Sequence, residues 1–182
     1  MAQTTGRRQM VTAKNYEEFC VQVVEKILTL SKQRIQKQGR FTIALSGGST
    51  PEGIYSLMAG HSYRDQFDWE GIDFFLGDER WVPSDNPRSN YKMIADTLLT
   101  KTKIPLSNVH AIKTNTADAQ TSASLYEKEL IKYFKLNARE FPQFDLILLG
   151  LGPDGHTASL FPNHPALDET KRLVIPVEAE GH

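Results

Sequence analysis

The sequence predicts an α/β fold in which helices cover both faces of an open, mostly parallel sheet. Short apolar runs alternate along the chain with segments of helical period. The run at 146–149 is unbroken, which suits a strand covered on both faces better than a half-exposed one, and 41–45 reads as a second buried strand. Glycine-rich turns follow strand candidates directly, where such sheets hold their ligands. Together these describe a three-layer, Rossmann-like arrangement in one domain spanning residues 1–182.

Size and composition bound the function. A chain of 182 residues with 40% hydrophobic and 24% charged residues is a globular domain with a substantial core. The formal net charge of -1 supplies no global field toward nucleic acid or an anionic membrane, so any anion must be held locally. Cys20 is the only cysteine, which excludes an internal disulfide and a thiolate metal cluster. No apolar run reaches the ~20 residues that span a bilayer, and Arg7 and Arg8 are not followed by the apolar stretch of a signal peptide. A cytoplasmic monomer is expected.

Residues 1–7 are small and polar and are read as a flexible leader; 9–12 is a candidate edge strand. Asn15 caps a helix with Phe19, Val23, Ile27 and Leu30 on its inner face, Cys20 beside them, and Gly39 as its stop. A buried strand follows over 41–45, then a helix over 52–59, a surface loop over 61–69 and a strand over 72–76. A polar connector leads to a helix over 91–100, capped by Ser89 or Asn90. A strand over 109–112 makes His110 structural, and Thr116 opens a helix running to 135. The run 146–149 is expected as a buried central strand, 159–161 as a short helical turn and 173–177 as the last strand.

Three turns carry the chemistry. Ser46, Gly47, Gly48, Ser49 and Thr50, with Pro51 in the following first helical turn, aim backbone N–H groups and a positive helix end at an anion. The alternative is a plain turn capped by Ser49 or Thr50. No Gly-Lys-Ser/Thr follows, so this is not a nucleoside-triphosphate loop. Gly77-Asp78-Glu79-Arg80-Trp81 places three charges before a tryptophan: Asp78 and Glu79 suit sugar hydroxyls or the orientation of a base, Arg80 an anion. A surface charge network under Trp81 is the alternative.

The third turn, 150–157, delivers His156 beyond a strand end. Its Gly150-x-Gly152-x-x-Gly155 spacing matches a dinucleotide fingerprint, but Pro162 and Pro165 leave room for only a short helix. No histidine, aspartate and glutamate spacing resembles a metal ligand set, and no Gly-x-Ser-x-Gly elbow offers a nucleophilic serine.

In this order and spacing, the three turns, the third continued through Thr157-Ala158-Ser159-Leu160-Phe161-Pro162, resemble those of the 6-phosphogluconolactonase family. The related glucosamine-6-phosphate deaminases share the fold and the first turn, while Glu79-Arg80-Trp81 and Asp154-Gly155-His156-Thr157 are more similar to the lactonase branch. The resemblance implies hydrolysis of 6-phospho-D-glucono-1,5-lactone, a small sugar-phosphate lactone, in the oxidative pentose phosphate pathway, with no cofactor. It assigns the phosphate to Ser46, Gly47, Gly48, Ser49 and Thr50, the phosphate or a lactone oxygen to Arg80, and the role of base to His156. Asp154 or Asp78 would orient His156. Other readings are an amino-sugar-phosphate isomerase or deaminase and a non-catalytic sugar-phosphate sensor. Family members continue past the equivalent of His182, so the chain is expected to lack a C-terminal portion, leaving a sheet edge and apolar helix faces uncovered.

Overall fold

Two five-residue, mostly apolar strands, Phe41–Leu45 (β1) and Ile72–Leu76 (β2), pair in parallel from Phe41↔Ile72 to Leu45↔Leu76 and are buried along their whole length, Thr42 and Asp73 included. The coordinates are a computed structural model that describes residues 8–178. Val109–His110 (β3) pairs with β2 and Leu146–Ile147 (β4) with β1, both in parallel, giving the order β3-β2-β1-β4.

Alternation of side chains across β1 and β2 sorts the core into two layers. Phe41, Ile43, Leu45, Ile72, Phe74 and Leu76 face three helices, Tyr16–Gln38 (α1), Ser49–Met58 (α2) and Asn90–Thr97 (α3). Ala44 and Phe75 face the fourth, Ala119–Phe134 (α4), through Tyr126 and Leu130. The three-layer expectation is met. Each fully buried large side chain in these layers contributes about 1.5–3 kcal/mol relative to exposure.

Local signals set the helix ends. Asn15 accepts a hydrogen bond from the Glu18 N–H, and Gly39 closes α1 in the left-handed region at φ 82°. Ser89, not Asn90, caps α3 by accepting from the Lys92 N–H. The cap of α4 is Asp118, so this helix starts at Ala119, three residues after Thr116. α2 starts at Ser49, ahead of the expected 52, because Gly48 at φ 95° turns the chain directly into it; no side chain caps it.

Several expectations are corrected. The run 146–149 is not a buried central strand: β4 has two residues and lies at the sheet edge among the described strands, with Ile147 and Leu149 about half exposed or more. No ladder forms over 173–177. There the Leu173 N–H and the Arg172 guanidinium are both held 2.7 Å from the Glu127 carboxylate on α4, which draws the segment onto the helix layer. Residues 9–12 pair with no strand, and β3 stops at His110. The 61–69 stretch is anchored by buried Phe67 and Trp69, whose rings stack 4.7 Å apart. The expected leader, 1–7, lies outside the described residues. No described helix is long and apolar enough to cross a membrane.

Candidate active site

The three sequence-predicted turns leave the carboxyl ends of β1, β2 and β4, on the same side of the parallel sheet. β1 connects onward to one neighbour while β4 returns on its other side, so the turns border a topological switch point.

The turn after β1 is built by exclusion of bulk. The Tyr55 hydroxyl accepts from the Ser46 N–H at 3.1 Å and donates to the Ser46 carbonyl at 2.8 Å, fixing Ser46 as a buried anchor. Burial pushes the Tyr55 phenol far up, so it remains a donor throughout the neutral range. Gly47 is required because a Cβ there would lie 1.9 Å from Asn90 Oδ1. Ser49 and Thr50 open on a recess beside Tyr16 and Glu52. The Tyr16 hydroxyl occupies part of this helix end, donating to the Thr50 carbonyl and accepting from the Gly53 N–H.

In the turn after β2, Glu79 is a helix anchor. Its carboxylate accepts from the N–H groups of Asn90 and Tyr91 at 2.7 and 2.8 Å, from the Ser89 hydroxyl at 3.1 Å and from the Arg80 N–H at 2.7 Å. A carboxylate on the first-turn N–H groups of α3 is favourable for both hydrogen bonding and the helix dipole. Asp78 accepts from the Ser159 hydroxyl at 2.7 Å through Oδ2 and from Asn90 Nδ2 at 3.3 Å through Oδ1. Asp78 and Glu79 are thus both engaged by protein groups, and Glu79 also lines the cleft that holds His156.

The turn carrying His156 is a tight loop. The Gly152 N–H donates to the His156 carbonyl at 2.8 Å, the Gly155 N–H donates to the Gly152 carbonyl at 3.0 Å, and Gly155 sits at φ 90°. Thr157 and Leu160 then bridge in antiparallel fashion around Ala158, whose φ of 50° is left-handed. The expected helical turn over 159–161 is therefore absent, as is the helix that a dinucleotide fingerprint needs after its third glycine. A left-handed alanine costs energy that a rigid surround must offset, and such residues cluster at functional sites.

Asp154 Oδ1 lies 2.6 Å from His156 Nδ1. A carboxylate only accepts, so Nδ1 carries the proton and the basic lone pair is on Nε2. Hydrogen bonds from the His156 ring and from its backbone N–H hold the Asp154 carboxyl below its usual range. Of the two acids open to the orienting role, Asp154 makes this contact and Asp78 is turned to Ser159 and Asn90.

His156 lines a cleft of about 140 Å³ together with Arg80, Trp81, Arg88, Ser159 and Phe161. The ion-paired arginines among the described residues are Arg34, Arg40, Arg64 and Arg172, so the Arg80 and Arg88 guanidiniums face the cleft uncompensated. An imidazole beside two unpaired guanidiniums suits an anionic substrate with a proton to be moved. Arg88 and Asn90 were missed as site residues. Their one signal is position: the head of a helix that follows a βα turn must return to that turn. Among the described residues, no three His, Cys, Asp or Glu side chains are placed to hold a metal ion. The predicted residues thus divide, with His156 and Arg80 meeting at the cleft, Asp154 held against the His156 ring, Asp78 and Gly47 in contact with Asn90, and Ser49 and Thr50 on the separate recess.

Residues 14–182 match the family described as glucosamine-6-phosphate isomerases/6-phosphogluconolactonase. The chain is 45% identical over 163 residues to 6-phosphogluconolactonase of Synechocystis sp., covering 87% of this chain and 66% of the relative. It is 42% identical over 159 residues to the 6-phosphogluconolactonase of Nostoc sp., covering 87% and 65%. The chain therefore spans just under two thirds of the length of these curated relatives. The solved structure of 6-phosphogluconolactonase from Trypanosoma brucei superposes with a TM-score of 0.82 at 31% identity, over 97% of this chain and 73% of that one.

Proposed function

Because the chain belongs to the family of glucosamine-6-phosphate isomerases and 6-phosphogluconolactonases, we propose that it acts on the lactonase side, hydrolysing 6-phospho-D-glucono-1,5-lactone to 6-phospho-D-gluconate. The reading carries the oxidative pentose phosphate pathway and a cytoplasmic setting with it. The observation that carries it is the Asp154–His156 pair opening on a cleft with two uncompensated arginines.

The chemistry asks little of the protein. A lactone is an activated ester, so one positioned water and one base suffice. His156 Nε2 removes a proton from the water as oxygen attacks the lactone carbonyl, and Asp154 stabilises the imidazolium that forms. The tetrahedral oxyanion is met by Arg80 or by backbone N–H groups of the glycine-rich turns. Collapse breaks the bond to the ring oxygen, which takes the proton from the imidazolium, and the open-chain acid gives its carboxyl proton to solvent and leaves as the carboxylate. Arg88 joins Arg80 in holding the phosphate from the cleft side, and the Ser46–Thr50 turn presents the head of α2 as a further donor surface.

The test is lactone hydrolysis by the whole protein and by His156→Ala. Loss of about 10³-fold or more in kcat is expected for removal of a general base that also acts as acid. Undiminished turnover in the variant would sink the mechanism. Ammonia release from glucosamine 6-phosphate, the signature of the amino-sugar branch, is expected to be absent.

A further inference from the structure

Asn90 is a buried polar side chain, 5% exposed, at the first residue of α3, where neither the helix nor the core needs it. Its backbone N–H is taken by Glu79 at 2.7 Å, which fixes where the side chain starts. Its amide Nδ2 then donates to the Asp78 carbonyl at 3.0 Å and to Asp78 Oδ1 at 3.3 Å. Both partners are acceptors, so the NH₂ end must face them, and Oδ1 is turned toward Gly47. The second oxygen of Asp78 accepts from the Ser159 hydroxyl at 2.7 Å, three residues beyond His156.

From this chain of contacts we infer that Asn90 is a positioning residue for the site: through Asp78 and Ser159 it sets the His156 loop against the turns after β1 and β2. The contacts are serial. Asn90 touches the first turn at Gly47 and the second at Asp78; Asp78 alone passes the constraint to Ser159. Removing Asn90 frees the Asp78 side chain to rotate, and removing the Ser159 hydroxyl cuts the last link. The hydrogen bonds Gly152 to His156, Gly155 to Gly152 and Thr157 to Leu160 shape the loop from within, while the Ser159 bond to Asp78 ties it to the turn after β2. A displacement of about 1 Å at a reacting group is enough to cost 10²-fold in rate.

The kinetic part of the inference rests on the lactonase reading, so its test has an arm that does not. Amide hydrogen exchange is followed over residues 152–160 in the whole protein for wild type, Asn90→Ala, Ser159→Ala and the double variant. Each single change is expected to speed exchange of these amides about tenfold, and the double variant no further than the faster single one, as two cuts in one serial link require. Exchange unchanged in both singles, or singles whose effects multiply in the double, overturns the inference. In the lactone assay each single variant is expected to lower kcat about tenfold with KM held within about twofold, the same non-additivity appearing in kcat. A loss confined to KM, or to melting temperature with kcat intact, overturns it. Should Asn90→Ala not fold, Ser159→Ala alone decides, since its hydroxyl is only partly buried and outside the core. Should wild type leave the lactone untouched, the functional reading falls and the exchange arm still decides this one.

Discussion

The imidazole of His156 lies against the α-carbon of Gly152, so close that a Cβ there would stand 2.2 Å from its Cε1 and 2.3 Å from Nδ1. The glycine is thus a seat for the ring. Gly152→Ala is expected to push the ring off Asp154 and to cut kcat about 10²-fold while the protein stays folded. Steady-state kinetics beside a melting curve checks this; a fully active alanine variant would show that the seat is not needed.

Asp154 fixes which ring nitrogen carries the proton. Asp154→Asn keeps the shape but offers an amide that can also donate, favouring the tautomer with its lone pair on Nδ1. A fall of about 10²-fold in kcat with little change in KM is expected. The ring ¹⁵N shifts of His156 would report the tautomer directly.

The two cleft arginines divide from the histidine in kinetics. Arg88→Ala is expected to raise KM for the lactone about tenfold and to leave kcat within a few-fold, as loss of uniform binding to a phosphate does. Arg80→Lys is expected to recover only part of what Arg80→Ala loses, because an ammonium lacks the planar fork.

Away from the cleft, Arg40, His110, Glu129 and Tyr133 gather around buried Asp73, with Arg40 on the solvent side. Arg40 and Tyr133 both hydrogen-bond Asp73, while His110 Nδ1 is 2.7 Å from Glu129 and its Nε2 is 3.6 Å from Asp73, an ionic contact beyond hydrogen-bond reach. Burial works to raise the Asp73 carboxyl, but His110, Arg40 and Tyr133 together hold it below its usual range. Burial works to lower the His110 imidazole, but Asp73 and Glu129 together lift it. The Asp73 contribution is present above an unfolded pKa of about 3.9 and is lost as pH falls through the depressed folded value. The His110 contribution is complete below an unfolded pKa of about 6.5 and is lost as pH rises through the elevated folded value. Denaturant titrations from pH 6 to 9 should show stability declining in wild type, and the decline flattened in His110→Asn. An equally steep decline in the variant would remove His110 as its source.

What could be read from the sequence was what local chemistry decides. Asn15 and Gly39 bracket α1 as expected, and 41–45 and 72–76 are strands residue for residue, because capping groups and short, predominantly apolar segments act on their own neighbourhood. The start of α2 was set three residues late because a glycine at positive φ leaves no side-chain cap to read. The run 146–149 has the composition of a covered strand, but cover depends on a second neighbour, which sequence periodicity cannot supply. Residues 173–177 look like a strand and are claimed instead by Glu127, some 46 positions away. At the cleft, His156 and Arg80 were visible by residue type. Asn90 was visible only as a possible cap, since its importance comes from meeting Gly47 and Asp78 in space.

The Glu79 carboxylate is held by the head of α3 and by the Arg80 backbone N–H, not by a guanidinium, and that has a consequence for how a substrate arrives. Were this acid to pair with the Arg80 guanidinium instead, one of the two cations of the cleft would be neutralised. Held as it is, it leaves the Arg80 and Arg88 guanidiniums without an ion-pair partner among the described residues, on a protein of nearly zero net charge. A doubly charged phosphate ester should be drawn in from about a Debye length, some 10 Å at 0.1 M salt. Raising ionic strength should therefore slow capture, seen in kcat/KM, while the turnover of substrate already seated stays as it was.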